Sequence, residues 1–384
     1  MIKKIGCVIA YKKNHTNYGT SLVGYALVKK IQQLGYEVEI INYIKKLSLL
    51  EKVVIALNQF RVQGPKIFLK RFESRPTCQA YIDGIRIRTK SVEAYKQKKL
   101  VPLFHDYVGY TSLVEGSKNY DAIIVGSDQV WLPHGLKTKF FNLLFVDDSV
   151  RKIAYASSFG VSKIPSFQKR DTAHYLNRFY CISVREQSGK EIVDSLSMNK
   201  ATVVADPTFM LDAIDWSNEA KDANVDTSEP YIFCYFLGTN PDARIAANEL
   251  KANTGLKIIT LRHMDEFVKN DEQFGDEAPY DVNPNDFVKY IRDAKYVLTD
   301  SFHCSAFSIQ FHKKFMTFYR FAIGAKWGRN SRIDSLFNVL SIPREHIYQG
   351  DVMKVNNPIE WNVVEDKLQA FRKKSVEFLR NSLS

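Results

Sequence analysis

Two rhythms of apolar and polar positions alternate along the chain. "IKKIGCVIA" (2–10) carries a short, nearly continuous apolar run, as a strand buried on both faces does. "TSLVGYALVKKIQQLGY" (20–36) then places Leu22, Val23, Ala26, Leu27, Ile31 and Leu34 on one helical face, with Gly35 as a natural stop. "EVEIINY" (37–43) returns to strand character. Strand, helix and strand in that span predict a right-handed βαβ unit and a parallel sheet. Residues 46–105 interrupt the rhythm with mostly helical, basic sequence and read as an insertion. Strands resume at 120–126, 152–158, 180–184 and 201–205.

A polar stretch, "DWSNEAKDANVDTSEP" (215–230), predicts a linker. Beyond it, "YIFCYFLG", "PDARIAANELKANTG", "LKIITL", "NPNDFVKYIRDA" and "KYVLTD" alternate strand and helix again. The fourth of these has Pro284 at its start and Asp286 in its first turn, as helix starts prefer. Near the end, Val364, Leu368, Phe371 and Phe378 share one face of a terminal amphipathic helix. The expected plan is α/β, with two Rossmann-like doubly wound domains. Residues 1–214 form the first, 215–230 the linker, 231–358 the second, and 359–384 a helix packing back. Ligands in such a plan bind at the facing carboxyl edges of the strands.

Charge sharpens that picture. The 384 residues carry a net charge of +12, and its placement is uneven. Residues 1–100 hold 20 Lys/Arg against 6 Asp/Glu, and the remainder 34 against 36. The basic first quarter is a solvated surface, a patch facing anionic lipid or a lipid-linked pyrophosphate, or a nucleic-acid face. No zinc finger or RNP signature supports the last, so nucleic acid is not an expected partner. Five scattered cysteines without CxxC spacing argue for a reducing compartment and against a thiolate metal site. The eight histidines show no HExxH-type spacing, so no metal is expected. No apolar run approaches the roughly 20 residues that span a bilayer, and the start reads as a first strand. A cytoplasmic location is expected, with a peripheral place at the inner face of the membrane.

Four stretches fall where strands end and helices begin. In "NHTNYGTSL" (14–22), Asn17, Tyr18, Gly19 and Thr20 offer amides and a hydroxyl at a helix N-terminus; an ordinary capped loop has the same look. "VGSDQVW" (125–131) ends a strand in Gly126, Ser127 and Asp128, followed by Gln129 and Trp131. There a carboxylate and a flat indole suit a sugar, although Asp128 could equally cap a helix. "SVREQSG" (183–189) places Arg185 at a strand end, either to clamp a carboxylate or phosphate or to pair with an acid such as Glu186. Last, "TDSFHCSAF" (299–307) sets His303 just past Asp300 and Ser301, where an imidazole can donate a proton at neutral pH. Neither "VGSDQ" nor "TDSFHC" is a G-x-S-x-G elbow, which disfavours serine hydrolase chemistry.

Together with "KIAYASSFG", "VVADPTFML" and "LTDSFHCSAFSIQFHKKF", these stretches resemble the polysaccharide pyruvyl transferase family, in order and across nearly the whole chain. That resemblance implies a GT-B-like fold. It also implies transfer of the pyruvyl group of phosphoenolpyruvate onto two sugar hydroxyls, with phosphoenolpyruvate as co-substrate and no cofactor. By resemblance His303 matches the family's key histidine and Arg185 a donor-binding arginine. His303 and Asp128 are then the catalytic candidates. Asn17, Tyr18, Gly19, Ser127, Gln129 and Trp131 lie on the acceptor side. Family members often carry arginine two positions before the histidine and glycine just after it, where this chain has Ser301 and Cys304. Ser301 thus falls in the donor pocket, and Lys326, Arg329 or Arg332 of "AKWGRNSRIDSL" would supply the missing cation. The expected acceptor is a lipid-linked sugar of a surface polysaccharide precursor. A GT-B-like glycosyltransferase using a nucleotide sugar, or a non-catalytic glycan-assembly protein, would share the plan.

Overall fold

The protein is described from a computed structural model, which covers residues 3–11, 13–64, 78–264, 267–321 and 330–384. Its first sheet has seven parallel strands in the order β3-β2-β1-β4-β5-β6-β7. They are β1 (Lys4–Val8), β2 (Glu37–Ile44), β3 (Phe104–Val108), β4 (Ala122–Val125), β5 (Arg151–Ser157), β6 (Cys181–Val184) and β7 (Ala201–Val203). Helices α1 (Tyr18–Gln33), α2 (Leu49–Gln63), α3 (Gln79–Lys99), α4 (Tyr110–Ser117), α5 (Lys169–Leu176) and α6 (Gln187–Leu196) connect them. A second sheet of four parallel strands follows in the order β11-β10-β8-β9. It comprises β8 (Tyr231–Tyr235), β9 (Lys257–Thr260), β10 (Tyr296–Thr299) and β11 (Lys314–Thr317). Preceded by α7 (Ala213–Glu219), its helices are α8 (Pro241–Thr254), α9 (Pro284–Asp293), α10 (Phe302–Gln310) and α11 (Ser331–Leu340), and α12 (Trp361–Leu383) closes the chain. This is a GT-B-like pair of Rossmann-like units.

The apolar periodicities decide most of these elements. Strand β4 and β1 after Lys4 carry no polar side chain because a parallel sheet covered on both faces leaves no solvent side. Helix α1 ends at Gly35, whose φ of +90° suits a residue without a side chain. Helix α9 starts on a reciprocal cap between Asn283 and Asp286, with Pro284 as its first residue.

Two boundaries differ from expectation. Strand β3 falls at the end of the stretch read as a helical insertion. It is an edge strand with a mixed, half-exposed sequence, "FHDYV", so it lacks the apolar run that marks its neighbours. The expected linker at 215–230 begins inside α7, and a short helical turn continues to Asp222. Asp212 and Asp215 cap α7 reciprocally, and Trp216 is fully buried with its indole N–H on the Thr208 carbonyl at 2.8 Å.

The two units share one apolar core. Tyr18 of α1 stacks on Phe287 of α9 with centroids 4.8 Å apart, and Trp216 meets Phe307 of α10 edge-on at 5.0 Å. Such aromatic pairs add about 0.5–1.5 kcal/mol each beyond their buried area. Buried Arg88 of α3 ties the insertion to the second unit through the carbonyls of Pro279 and Tyr280, both at 2.8 Å. Helix α12 returns to the first unit, where Ser375 Oγ accepts from Ala205 N at 2.8 Å and Arg372 donates to the Phe209 carbonyl at 2.6 Å. Val364 and Leu368 on its apolar stripe are buried, as are Leu379 and Leu383. These contacts hold the carboxyl edges of the two sheets together.

Candidate active site

Asp128, Arg185, Asp206 and His303 come from segments leaving the carboxyl ends of β4, β6, β7 and β10, and Asp128 and His303 lie where the strand orders reverse. In the first sheet the reversal lies between β1 and β4, in the second between β8 and β10. Past β10, Asp300 accepts the backbone N–H groups of Leu237 at 2.6 Å and Gly238 at 2.7 Å, which ties that segment to the end of β8. Ser301 then caps α10, its Oγ accepting from Cys304 N at 3.4 Å. The cap orients the first turn, from which His303 projects towards α1.

His303 is 8% exposed and lies between the two units. One edge of the ring packs on Gly19, where an added Cβ would stand 2.6 Å from the ring Cγ and closer still to Nδ1. The other edge faces Asp206, with Nε2 3.6 Å from Oδ2, within ion-pair range but beyond a hydrogen bond. Nε2 is buried and has no hydrogen-bond partner among the described residues.

Asp206 is the hub. Its Oδ2 accepts from Arg185 Nη1 at 2.8 Å and from Ser127 Oγ at 3.2 Å. Its Oδ1 accepts from Thr208 N at 3.0 Å and Thr208 Oγ1 at 2.8 Å. Burial pushes this carboxyl upward, but His303 and Arg185 outweigh it and hold the group far below the usual carboxylate range. Asp128 behaves alike. Burial raises it, Arg185, His303, Arg332 and the Thr20 hydroxyl lower it, and the net shift is down. Its backbone φ of +77° is a left-handed setting that Asp tolerates better than most residues. The carboxylate accepts from Thr20 Oγ1 at 2.9 Å and lies 3.9 Å from Arg185 Nη2. Asp128 caps no helix; its carbonyl instead accepts from Ser158 N at 3.1 Å.

Arg185 is buried among three carboxylates, the third being Glu186 at 3.7 Å. Burial lowers its pKa and Asp206, Glu186 and Asp128 raise it, leaving it above the ordinary value. Two of its donors, Nε and Nη2, make no hydrogen bond to any described residue. The guanidinium lies over the Phe302 ring at 4.5 Å, and that of buried Arg332 over the same ring at 5.9 Å. Burial first, then repulsion from Arg185 and Arg320, pushes Arg332 down to about 9. It still carries its charge at neutral pH, so Arg185 and Arg332 stand as cations among the carboxylates of Asp128, Asp206 and Glu186.

Several expected assignments change. Trp131 is no sugar platform: it is buried against Phe159, Tyr175 and Phe179, and its indole N–H donates to the Phe141 carbonyl at 3.0 Å. Tyr18 is likewise buried, on Phe287 and Tyr235, because the apolar junction of the units claims it. Ser127 holds Asp206, Ser301 serves as a cap, and Gly19 makes room for the imidazole. Cys304 is buried in the core. Asn17 caps α1, accepting from Thr20 N at 3.2 Å. Together with Thr20, Asp128 and Gln129 it lines a cleft of about 600 Å³ beside the cluster. Lys326 and Arg329 lie outside the described residues. Asp206, Phe302 and Arg320 were not singled out from the sequence. An Asp-Pro step directly after the "ATVVA" run signals Asp206, and Arg320 lies just beyond the "KFMT" strand with its Nη2 3.7 Å from Asp300.

The polysaccharide pyruvyl transferase family model matches residues 17–320, a span that contains Gly19, Asp128, Arg185, Asp206 and His303. The chain belongs to the polysaccharide pyruvyl transferase family. Among solved structures, a UDP-N-acetylglucosamine 2-epimerase superposes with a TM-score of 0.50 at 9% identity, covering 98% of this chain and 95% of that one. The Neisseria meningitidis UDP-GlcNAc 2-epimerase bound to UDP-GlcNAc gives 0.47 at 9% identity, over 97% and 100% of the two chains. Heptosyltransferase II of E. coli gives 0.37 at 10%, over 97% and 99%. The first likeness shows a shared fold. Among curated proteins, no sequence matches the chain. The family places the chain among transferases of polysaccharide biosynthesis, and no helix among the described residues is long and apolar enough to cross a membrane.

Proposed function

We propose that this member of the family transfers the pyruvyl group of phosphoenolpyruvate onto two hydroxyls of a sugar in a surface polysaccharide precursor. The product is a cyclic pyruvate ketal, and phosphate is released. The observation that carries the reading is the shared use of Asp206 by His303 and Arg185, which joins a proton carrier and an anion clamp in one buried cluster.

The chemistry needs four things of these residues. Carbon 3 of the donor must gain a proton, which His303 Nε2 supplies while Gly19 and Asp206 hold the ring between them. The donor's carboxylate and phosphate need fixed cations: Arg185 offers Nε and Nη2, and Arg332 faces the same Phe302 ring. The first sugar hydroxyl then bonds to carbon 2, the bond from carbon 2 to the phosphate oxygen breaks, and the second hydroxyl takes its place. Of the two hydroxyl protons, one makes good the proton given to carbon 3 and the other leaves with phosphate. Ionised Asp128, on the wall of the wide cleft, receives a hydroxyl proton in transit. The cavity beside Arg185, Asp206, Phe302 and Arg332 holds only about 10 Å³, the space of one water, so donor binding must widen it.

Labelled phosphoenolpyruvate and a panel of lipid-linked sugars test the proposal. Phosphate should be released and an acid-labile ketal remain on the sugar. The His303→Ala variant should lose about 10²–10⁴-fold in rate. Absence of turnover across the panel, with a nucleotide sugar consumed instead, would reassign the protein to sugar transfer.

A further inference from the structure

Helix α2 leaves most of its apolar residues in solvent. Its polar Asn58 is buried against the body of the first unit, donating to the carbonyls of Pro133 at 3.3 Å and His134 at 3.0 Å and accepting from Gln168 Nε2 at 2.7 Å. Val62, one turn on, is buried beside it. The opposite face is apolar and faces solvent. Leu49 is 77% exposed, Leu50 78% and Leu57 57%, and Val53 and Val54 share that face. Scattered exposed apolar residues are ordinary, but five on one face of one helix form a patch that calls for a partner. The helix is rigidly founded: Ser48 and Glu51 make a reciprocal cap at its start, and the Asn58 bonds fix its middle.

We propose that this face is the surface by which the protein docks on an anionic lipid bilayer. Charge selects that occupant. Lys45 and Lys46 lie just ahead of the helix, Lys52 and exposed Arg61 lie on it against one acid, Glu51, and residues 1–100 carry 20 basic side chains against 6 acidic ones. Leucines and valines flanked by basic residues suit a helix lying in the headgroup layer. Fifteen residues span about 22 Å, too short to cross a core of about 30 Å but long enough to lie in the interface. The position also fits. Lys45 lines the wide cleft together with Asn17 and Asp128, so docking through α2 sets the mouth of that cleft at the bilayer. A lipid-linked sugar presents its head group there. This last step rests on the proposed function; the docking itself does not.

The full chain, mixed with sedimenting vesicles in the absence of any substrate, tests docking separately from catalysis. It should pellet with phosphatidylcholine vesicles containing phosphatidylglycerol, pellet poorly with phosphatidylcholine alone, and be released by salt. Replacing Leu50, Val54 and Leu57 together by Ser should lower partition at least about tenfold. Lys46→Ala and Lys52→Ala should each lower it about fivefold, with unchanged turnover on a water-soluble acceptor. Should the triple variant misfold, the single variant Leu50→Trp gives a second reading: its emission should shift to the blue on anionic vesicles. Equal pelleting of wild type and variants, or a Leu50→Trp emission spectrum indifferent to vesicles, would overturn the proposal. A dimer that Leu57→Glu splits, with no pelleting of the wild type, would also overturn it by assigning the face to a second copy.

Discussion

One methyl group tests whether the placement of His303 matters. In Gly19→Ala the new Cβ would stand 2.6 Å from Cγ and 3.0 Å from Cε1 of the imidazole, against about 3.5–4.0 Å for relaxed contact. The ring must therefore retreat by about 1 Å, and a misplacement of about that size costs roughly 10²-fold in rate. That corresponds to about 2.7 kcal/mol of lost transition-state stabilisation. The cost in stability should be smaller. Overpacking costs about 1–3 kcal/mol, and replacing a helical glycine by alanine returns up to about 1 kcal/mol. Gly24→Ala is the control. It lies on the same helix, but its Cβ would meet only the flexible end of Ile9, at 2.9 Å. The assay is phosphate release from phosphoenolpyruvate, run beside thermal unfolding on the same preparations. Gly19→Ala should lose about a hundredfold in kcat with a modest fall in Tm, and Gly24→Ala should keep its rate. Turnover of Gly19→Ala within a few-fold of wild type would refute the reasoning, because the ring would then have moved without consequence. Equal loss in both variants would refute it as well, since the defect would then lie in the helix.

Other expectations concern the hub and the buried indole. Asp206→Asn leaves buried Arg185 short of its nearest counter-charge and should cost about 3–5 kcal/mol in unfolding free energy, with loss of turnover. The carboxyl of Asp206 is depressed in the folded state, so its contribution is full above the unfolded value near pH 4 and is lost as pH falls below it. An acid titration of stability should thus be shallower in Asp206→Asn than in wild type; parallel curves would refute the assignment. Trp131→Ala should cost about 3–5 kcal/mol and leave the KM for the sugar unchanged per folded molecule. A raised KM at unchanged stability would restore the indole as a sugar platform.

Much of this architecture is local and was legible in the chain. Apolar runs mark β1 and β4 because parallel strands are buried on both faces; Gly35 marks a helix end because glycine alone adopts its positive φ readily, and Pro284 a helix start because its fixed φ and missing N–H suit a first turn. Strand-end positions together with the family resemblance brought forward His303, Arg185 and Asp128, which the structure gathers into one cluster. What a side chain faces is another matter, since it depends on elements far away in sequence. Trp131 and Tyr18 look like binding aromatics until Phe159 and Phe287 are packed against them. Asp206 becomes a hub only when β7 brings it to Arg185 and α10 brings His303 opposite. Helix α2 makes the point most sharply. Periodicity determines that one of its faces is apolar, but only the tertiary structure decides whether that face meets the core or the solvent, because the hydrogen bonds of Asn58 and the burial of Val62 turn another side inward.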